Sequence, residues 1–288
     1  MHEFDLLAPA SLAGCVEAMD KHTGVAAAMA GGTDLHVLMR AKARTPRVIV
    51  WLGKAGDLGE AADRDGTISL GPLVTHSELS RLPILAGIAS LGKAASAVGS
   101  PQVRNVGTLG GNLANASPAG DLYPPLLTLD ARVVLGSVAG TRAVRLEDFV
   151  TGPGSTGREP NEIVAGIVFE KPAGRPYFDF VKIGLRNALA ISVASAAIAA
   201  WTGNGKFEDV RIACGAVAPR PVRMREVETL LCGEALTPEL LREVEATASR
   251  TCDPATDIRA TSAYRRHVLG VIVARLVESA WQRLPSRA

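Results

Sequence analysis

Residues 106–121 read VGTLGGNLANASPAGD, and this glycine- and amide-rich segment decides how the rest of the chain is read. Gly107, Gly110 and Gly111 carry no Cβ and can adopt positive φ, so main-chain N–H groups can come close to a diphosphate. Asn112, Asn115 and Ser117 add neutral hydrogen-bonding groups, and Asp121 adds a carboxylate acceptor of the kind a ribose or a ring N–H needs. Taken alone, the segment is equally a glycine-rich turn between two helices. A second stretch shifts the balance. Residues 27–35, AAMAGGTDL, carry a short apolar strand-like run to Gly31-Gly32 and pass into LHVLMR, which is a strand, a tight turn and a helix. Thr33 and Asp34 stand where helix N-caps stand, and the free N–H groups of a helix start form an anion site without a lysine. Two phosphate-competent loops, neither with a Walker lysine, fit one dinucleotide lying across both.

Length and composition narrow the alternatives. At 288 residues the chain can hold two domains, or one large domain with a lobe attached. Lys plus Arg number 31 against 29 Asp plus Glu with no basic block, so the electrostatic footprint of a nucleic-acid binder is missing. VLGVIVARLV at 268–277 contains Arg275 and is too short to span a bilayer. The opening MHEFDLLAP lacks the positive segment and apolar core of a secretory signal, so a soluble, cytoplasmic protein is expected. Cys15, Cys214, Cys232 and Cys252 are isolated, with no C-x-x-C pair and no histidine at ligand spacing, and no metal site is encoded locally. Cys15 falls on an amphipathic pattern with Leu12, Val16 and Met19, as a core thiol does. None of His2, His22, His36, His76 and His267 pairs visibly with a Ser or Cys nucleophile, so a hydrolase triad has no support.

Along the chain, Ser11 caps a helix over about 12–22 that Gly24 ends, followed by strands at 25–30 and 47–52. TISLG at 67–71 is another strand, and Thr75 to Glu78 fits a capping box. The alanine-rich run from Pro83 to Val98 reads as helix, delivering the chain into a loop at 100–117, and residues 121–127 form a short helix leaving it. ARVVLGSV and TRAVRL read as a hairpin, and EIVAGIVFE at 162–170 as a strand. KPAGRP at 171–176 marks a domain boundary. Beyond it, FDFVKIG and ALAISVASAAIAAW are strand-like, and Gly203-Asn204-Gly205 joins the latter to FEDVRIACGAVAP. Helical patterns follow at about 225–232, 238–250 with Thr237 as cap, and 262–284. The C-terminal lobe is thus α+β. Gly152 to Gly157 satisfies G-x-G-x-x-G literally, but Pro153 and Pro160 oppose the required helix, and a nicotinamide-type Rossmann site is rejected.

AGGTDL at 30–35, TLGGNLANASPAGDLYP at 108–124, GAVAPRPVR at 215–223 and DIRATSAYRR at 257–266 resemble, in the same order, the flavin-binding medium subunit of the molybdenum hydroxylases, the group of xanthine dehydrogenase and aerobic carbon monoxide dehydrogenase. The likeness covers about residues 3 to 284. It implies an α+β chain: a two-subdomain FAD-binding domain of the vanillyl-alcohol-oxidase-like type over 1–175, with subdomains of about 1–54 and 55–175, then a CO dehydrogenase flavoprotein-type domain over 176–288.

By the same resemblance, Ala30, Gly31, Gly32, Thr33, Asp34 and Leu35, with Thr108, Gly110, Gly111 and Asn112, hold the FAD diphosphate. Ser117 and Asp121 match positions contacting the ribityl or adenosine portions, and Lys182 aligns with a lysine close to the flavin ring. As a residue on its own, Lys182 also reads as a solvated strand-edge charge. The family divides its chemistry: a large molybdopterin subunit hydroxylates the substrate, a small subunit with [2Fe–2S] clusters relays electrons, and the flavin passes them on. This chain has neither the cluster cysteines nor a molybdopterin site, so the resemblance implies an electron-transfer subunit of a heterotrimer or its dimer, incomplete as an enzyme by itself. The cysteine-rich insertion of the 4-hydroxybenzoyl-CoA reductases is absent. The alternatives are an autonomous flavin oxidase, opposed by the missing acid/base constellation, and a module that has lost FAD, opposed by the intact glycine loops.

Overall fold

The computed structural model describes residues 3–186 and 189–283. The chain begins with β1 (Asp5–Leu7), α1 (Leu12–Lys21), β2 (Ala26–Met29), α2 (Leu35–Arg40) and β3 (Val48–Trp51). These strands form a parallel sheet in the order β1-β3-β2, the arrangement that helical crossovers require. Val48 and Val50 of the central strand pack on Cys15, Val16 and Met19 of α1. Ser11 caps α1 by accepting from the N–H of Gly14, and Gly24 follows at φ +83°. β1, three residues long, is too short to carry a period and has no signature in the sequence.

The middle of the chain comprises β4 (Ala61–Arg64), β5 (Thr67–Leu70), α3 (His76–Leu79), α4 (Ala89–Ala97), α5 (Pro101–Val106), α6 (Leu109–Ala114), α7 (Tyr123–Thr128), β6 (Arg132–Ser137), β7 (Gly140–Arg145), α8 (Leu146–Phe149), β8 (Val150–Gly152), β9 (Ser155–Thr156) and β10 (Ile163–Glu170). An antiparallel sheet of order β4-β5-β10-β6-β7 is its frame. Asp65 and Gly66, at φ +54° and +85°, make the two-residue turn joining β4 to β5, the Asp-Gly hairpin signal. Helix is present over less of 83–98 than the alanine content predicts: Pro83–Leu85 is one 3-10 turn, and α4 starts only at Ala89, after Gly87 and Ile88. Conversely, 100–117 is not a loop. Ser100 accepts from Val103 N–H ahead of Pro101, and Thr108 accepts from Gly111 N–H, so two short capped helices replace it. The G-x-G-x-x-G look-alike is the β8–β9 hairpin, with Gly154 at φ +69°.

The last part is β11 (Tyr177–Ile183), β12 (Ala194–Gly203), β13 (Lys206–Gly215), β14 (Val222–Arg223), α9 (Arg225–Leu231), α10 (Pro238–Thr251) and α11 (Ser262–Arg283), with the strands in that order in one antiparallel sheet. β12 begins at Ala194, later than its apolar run. Both faces of β12 are buried: Ala197 and Ala199 face the core shared with Leu91, Leu109, Tyr123 and Leu126, while Ala196 and Ile198 face Leu269, Ile272 and Val273 of α11. A strand closed on both sides by helices reads as a continuous apolar run, not as an alternation. α4 and α7 therefore form a layer between two sheets, with Ile68, Leu135 and Ile167 on one side and Phe178, Phe180 and Ala213 on the other. No described helix is long and apolar enough to cross a membrane.

Candidate functional site

The fold brings the two glycine segments into contact, although 75 or so residues separate them. A Cβ on Gly31 would lie 1.7 Å from the carbonyl oxygen of Val106, so only glycine lets the β2–α2 turn lie against the end of α5. Asn115 Nδ2 donates to Asp34 Oδ1 at 3.3 Å across the same seam. Ala30 follows the end of β2, Gly32 turns the chain at φ +71°, and Leu35 opens α2. Asp34 occupies the N-cap position, but its side chain bonds Asn115 and does not cap. The N–H groups of Gly32, Thr33 and Asp34 have no hydrogen-bond partner among the described residues. They are the open donors of a helix start.

The second segment differs from its sequence reading in one respect. Gly107, Gly110 and Gly111 all have negative φ, and their N–H groups are used internally: Gly107 to Val103 O at 2.6 Å, Gly110 to Pro72 O at 2.9 Å, Gly111 to Thr108 Oγ1 at 3.1 Å. Asn112 N–H donates to Thr108 O at 2.9 Å. Glycine is needed here for close packing, since a Cβ on Gly110 would lie 2.5 Å from Pro72 Cβ and one on Gly107 would lie 3.1 Å from the His76 ring. The backbone donors expected of this segment are therefore spent. What it leaves open is a side chain: Asn112 Oδ1 is buried with no partner, the state of a group awaiting a ligand or water.

Ser117 and Asp121 follow on a stretch gripped from both sides. Ala116, at φ +48°, accepts from Gly154 N–H at 2.9 Å, and Pro118 O accepts from Ala216 N–H at 2.7 Å. Ser117 Oγ accepts from Ala119 N–H at 3.3 Å. Asp121, 5% exposed, takes Lys182 Nζ on Oδ2 at 2.5 Å and Ser192 Oγ on Oδ1 at 2.6 Å. Lys182 Nζ also donates to Ala97 O at 3.0 Å. Lys182 is thus no solvated strand-edge charge; it joins β11 to the end of α4 and to the segment before α7. Burial pushes the Asp121 carboxyl up, and the Lys182 ammonium and Ser192 hydroxyl oppose that rise. A buried pair persists when its remaining hydrogen-bonding capacity is filled, and Ser192 and Ala97 fill it.

Cys15, Cys214 and Cys252 are buried, and burial first, then the nearby Asp57 carboxylate, pushes the Cys15 thiol up to about 11, as befits a core thiol. Among the described residues no three His, Cys, Asp or Glu side chains group as a metal site. Two participants carry no motif of their own. Ser192 lies in an apolar run, and His76, 3% exposed with Nδ1 unpartnered, packs under Gly107. Only the contacts of residues 71 and 31 positions distant reveal them.

Residues 2–171 match the family described as FAD binding domain in molybdopterin dehydrogenase, and residues 179–280 the CO dehydrogenase flavoprotein C-terminal domain. The nicotinate dehydrogenase FAD-subunit of Eubacterium barkeri is 34% identical over 84% of this chain and 83% of its own length. The glyceraldehyde dehydrogenase medium chain of Sulfolobus acidocaldarius is 31% identical over 86% of this chain and 88% of its own. A chain of the solved carbon monoxide dehydrogenase from Hydrogenophaga pseudoflava superposes with a TM-score of 0.95 at 27% identity, covering 99% of each chain. Two family models that together span 2–280 and relatives of this identity and coverage agree: the chain belongs to the family of FAD-binding medium subunits of the molybdopterin dehydrogenases.

Proposed function

We propose that this chain is the FAD-carrying electron-transfer subunit of a molybdenum-containing hydroxylase or dehydrogenase, assembled with a small [2Fe–2S] subunit and a large molybdopterin subunit as a heterotrimer or its dimer. The observation that carries this reading is the seam itself. Gly32, Thr33 and Asp34 present unpartnered N–H groups on one side, and Asn112 presents an unpartnered carbonyl oxygen on the other. Both fit a bound dinucleotide whose diphosphate accepts from the first and whose polar edges donate to the second.

FAD, when bound, supplies the redox centre between the partner's clusters and an external acceptor. The chain's residues provide its seat. Ala30 to Leu35 would hold the diphosphate through the N–H groups of Gly32, Thr33 and Asp34, and Thr108 to Asn112 would form the facing wall, with Gly110 packed against Pro72 and Asn112 Oδ1 as its open acceptor. Ser117, Asp121 and Lys182 would face the remainder. The Lys182 ammonium is paired with the Asp121 carboxylate at 2.5 Å, so the two would present that region with an oriented ion pair and no net charge. No general acid or base is required of the protein. Substrate binding belongs to the large partner, and a cytoplasmic location fits a chain of this kind. On this reading the chain divides into 1–175, with subdomains of about 1–54 and 55–175, and 176–288; the Pro- and Gly-containing stretch 171–176 between the end of β10 and the start of β11 supports it.

The test is to purify the chain with its copurifying partners and record its visible spectrum, iron and molybdenum. Flavin in one-to-one ratio with this chain, and iron and molybdenum only in the partners, is the expected result. A complex without flavin, or an isolated chain that is bleached by an organic substrate under anaerobic conditions, would overturn the assignment.

A further inference from the structure

The DIRATSAYRR segment at 257–266 lies outside the seam, yet its Arg265 reaches the segments that hold the 117–121 stretch. Arg265 is 2% exposed. Its Nη1 donates to Val193 O and to Ala216 O, both at 2.8 Å, and its Nη2 donates to Asp257 Oδ1 at 2.7 Å. These carbonyls belong to two separate segments: Val193 stands next to a residue that grips the stretch 117–121, and Ala216 grips it directly. Ser192, beside Val193, donates to Asp121 at 2.6 Å. Ala216 donates its own N–H to Pro118 O at 2.7 Å and is held at φ +63°, a conformation that a residue with a Cβ keeps only when its surroundings enforce it. Val193 is likewise fixed at its other end, its N–H donating to Ile183 O at 2.8 Å, the residue after Lys182.

Asp257 is built to aim the arginine. Its Oδ1 also accepts from Arg259 N–H at 2.8 Å, and its Oδ2 takes Arg259 Nη2 at 2.5 Å and Nε at 3.0 Å. The turn holds the carboxylate in one orientation, and Arg265 spans from it to two carbonyls with a single planar fork. A lysine ammonium, a point donor on a flexible stem, cannot reproduce that span.

We propose that Arg265 is a positioning residue for the FAD site, acting through Val193 and Ser192 on Asp121 and through Ala216 and Pro118 on Ser117. The inference rests on the FAD assignment above. Its range is specific: it concerns how firmly the 117–121 stretch is held, and leaves the glycine seam at Gly31 and Val106 untouched.

The experiment uses the complex purified with its partners, and follows FAD release by the rise in flavin fluorescence on dilution, at a temperature well below melting. Arg265→Lys is expected to speed release about tenfold, the size of coupling seen in shared hydrogen-bond networks. Asp257→Asn, which removes no buried cation, is expected to speed it by a smaller factor and serves if the lysine variant does not assemble. Arg223→Lys is the matched control. Arg223, whose side chain is 6% exposed, holds Glu228, Asp130 and Leu127 O and among the described residues hydrogen-bonds nothing in 117–121, so its release rate should equal that of the unaltered complex. Release unchanged in both Arg265→Lys and Asp257→Asn, or equally fast in Arg223→Lys, overturns the proposal. An unaltered complex without FAD instead overturns the assignment on which it rests.

Discussion

Gly31→Ala tests the seam at one atom. The added Cβ would sit 1.7 Å from Val106 O and 2.5 Å from Val106 C, whereas non-bonded heavy atoms need more than about 3 Å, so the two segments must part by more than about 1 Å. Neither side can yield by rotating a side chain, since the obstacle is main chain. Val106 ends α5, and the next residue is tied down: His76 N–H donates to Gly107 O at 3.0 Å, and Thr75 bridges Thr108. Displacing α5 therefore strains those bonds and pulls Asn115 from Asp34. Overpacking a tight site costs ~1–3 kcal/mol and occasionally more; a backbone obstacle belongs at the upper end, about 3 kcal/mol. At ~2–4 °C per kcal/mol, melting should fall by roughly 6–12 °C, and FAD should be lost on gel filtration. Gly56→Ala is the control, for a Cβ there meets nothing within 4 Å and should change stability by less than ~0.5 kcal/mol. If Gly31→Ala melts with Gly56→Ala and keeps its flavin, the segments are not in contact as described.

Lys182→Met leaves the Asp121 carboxylate 5% exposed with no counter-charge. The expected loss is ~3–5 kcal/mol in urea unfolding, with more than half recovered in Lys182→Met/Asp121→Asn; no recovery in the double variant would mean the two residues are not energetically paired. His76 gives a pH signature. Burial first, and the Arg104 charge second, lower its folded value from 6.5 to about 4, so the native state holds a neutral imidazole. Its contribution is complete above pH 6.5 and is lost as pH falls through that window toward 4, at ~1.4 kcal/mol per unit and about 3 kcal/mol in all. His76→Leu should remove that part of the acid slope, and identical slopes for the two proteins would refute the burial argument.

Much of the frame is legible in the sequence because local chemistry specifies it. The Thr75–Glu78 capping box, the Thr237 cap of α10 and the Ser11 cap of α1 are all made. Short edge strands are not legible: β1 and β14 have three and two residues, too few to show a period of two. β4 could be found, since Asp65-Gly66 announces its hairpin. The helix α6 is hidden for a different reason. Glycine lowers helix propensity by about 1 kcal/mol per residue, so LGGNLA reads as loop, and only tertiary bonds such as Leu109 N–H to Val74 O at 2.9 Å make it helical. The pairing of Asp121 with Lys182, 61 residues on, leaves no local trace at all.

That last case bears on what the glycine-rich segment is. Read by composition, 106–121 offers its backbone to a ligand. In the fold its glycines serve other protein atoms, with Gly110 against Pro72 and Val106 against Gly31. On the proposed reading, the groups left to face FAD are the N–H groups of the first turn and a few side chains of the second. A site built this way depends on several structural units at once. The parallel sheet supplies Gly31 to Asp34, the helical layer supplies Asn112 and Asp121, and the C-terminal sheet supplies Lys182, with Ser192 beside it. Removing the C-terminal lobe would leave Asp121 without Lys182 and Ser192, and Pro118 without its Ala216 donor. A fragment ending at residue 175 should therefore lose the organised 117–121 stretch even though both glycine segments lie within it, and on the proposed reading it should bind FAD more weakly than the whole chain does, which equilibrium titration with FAD checks.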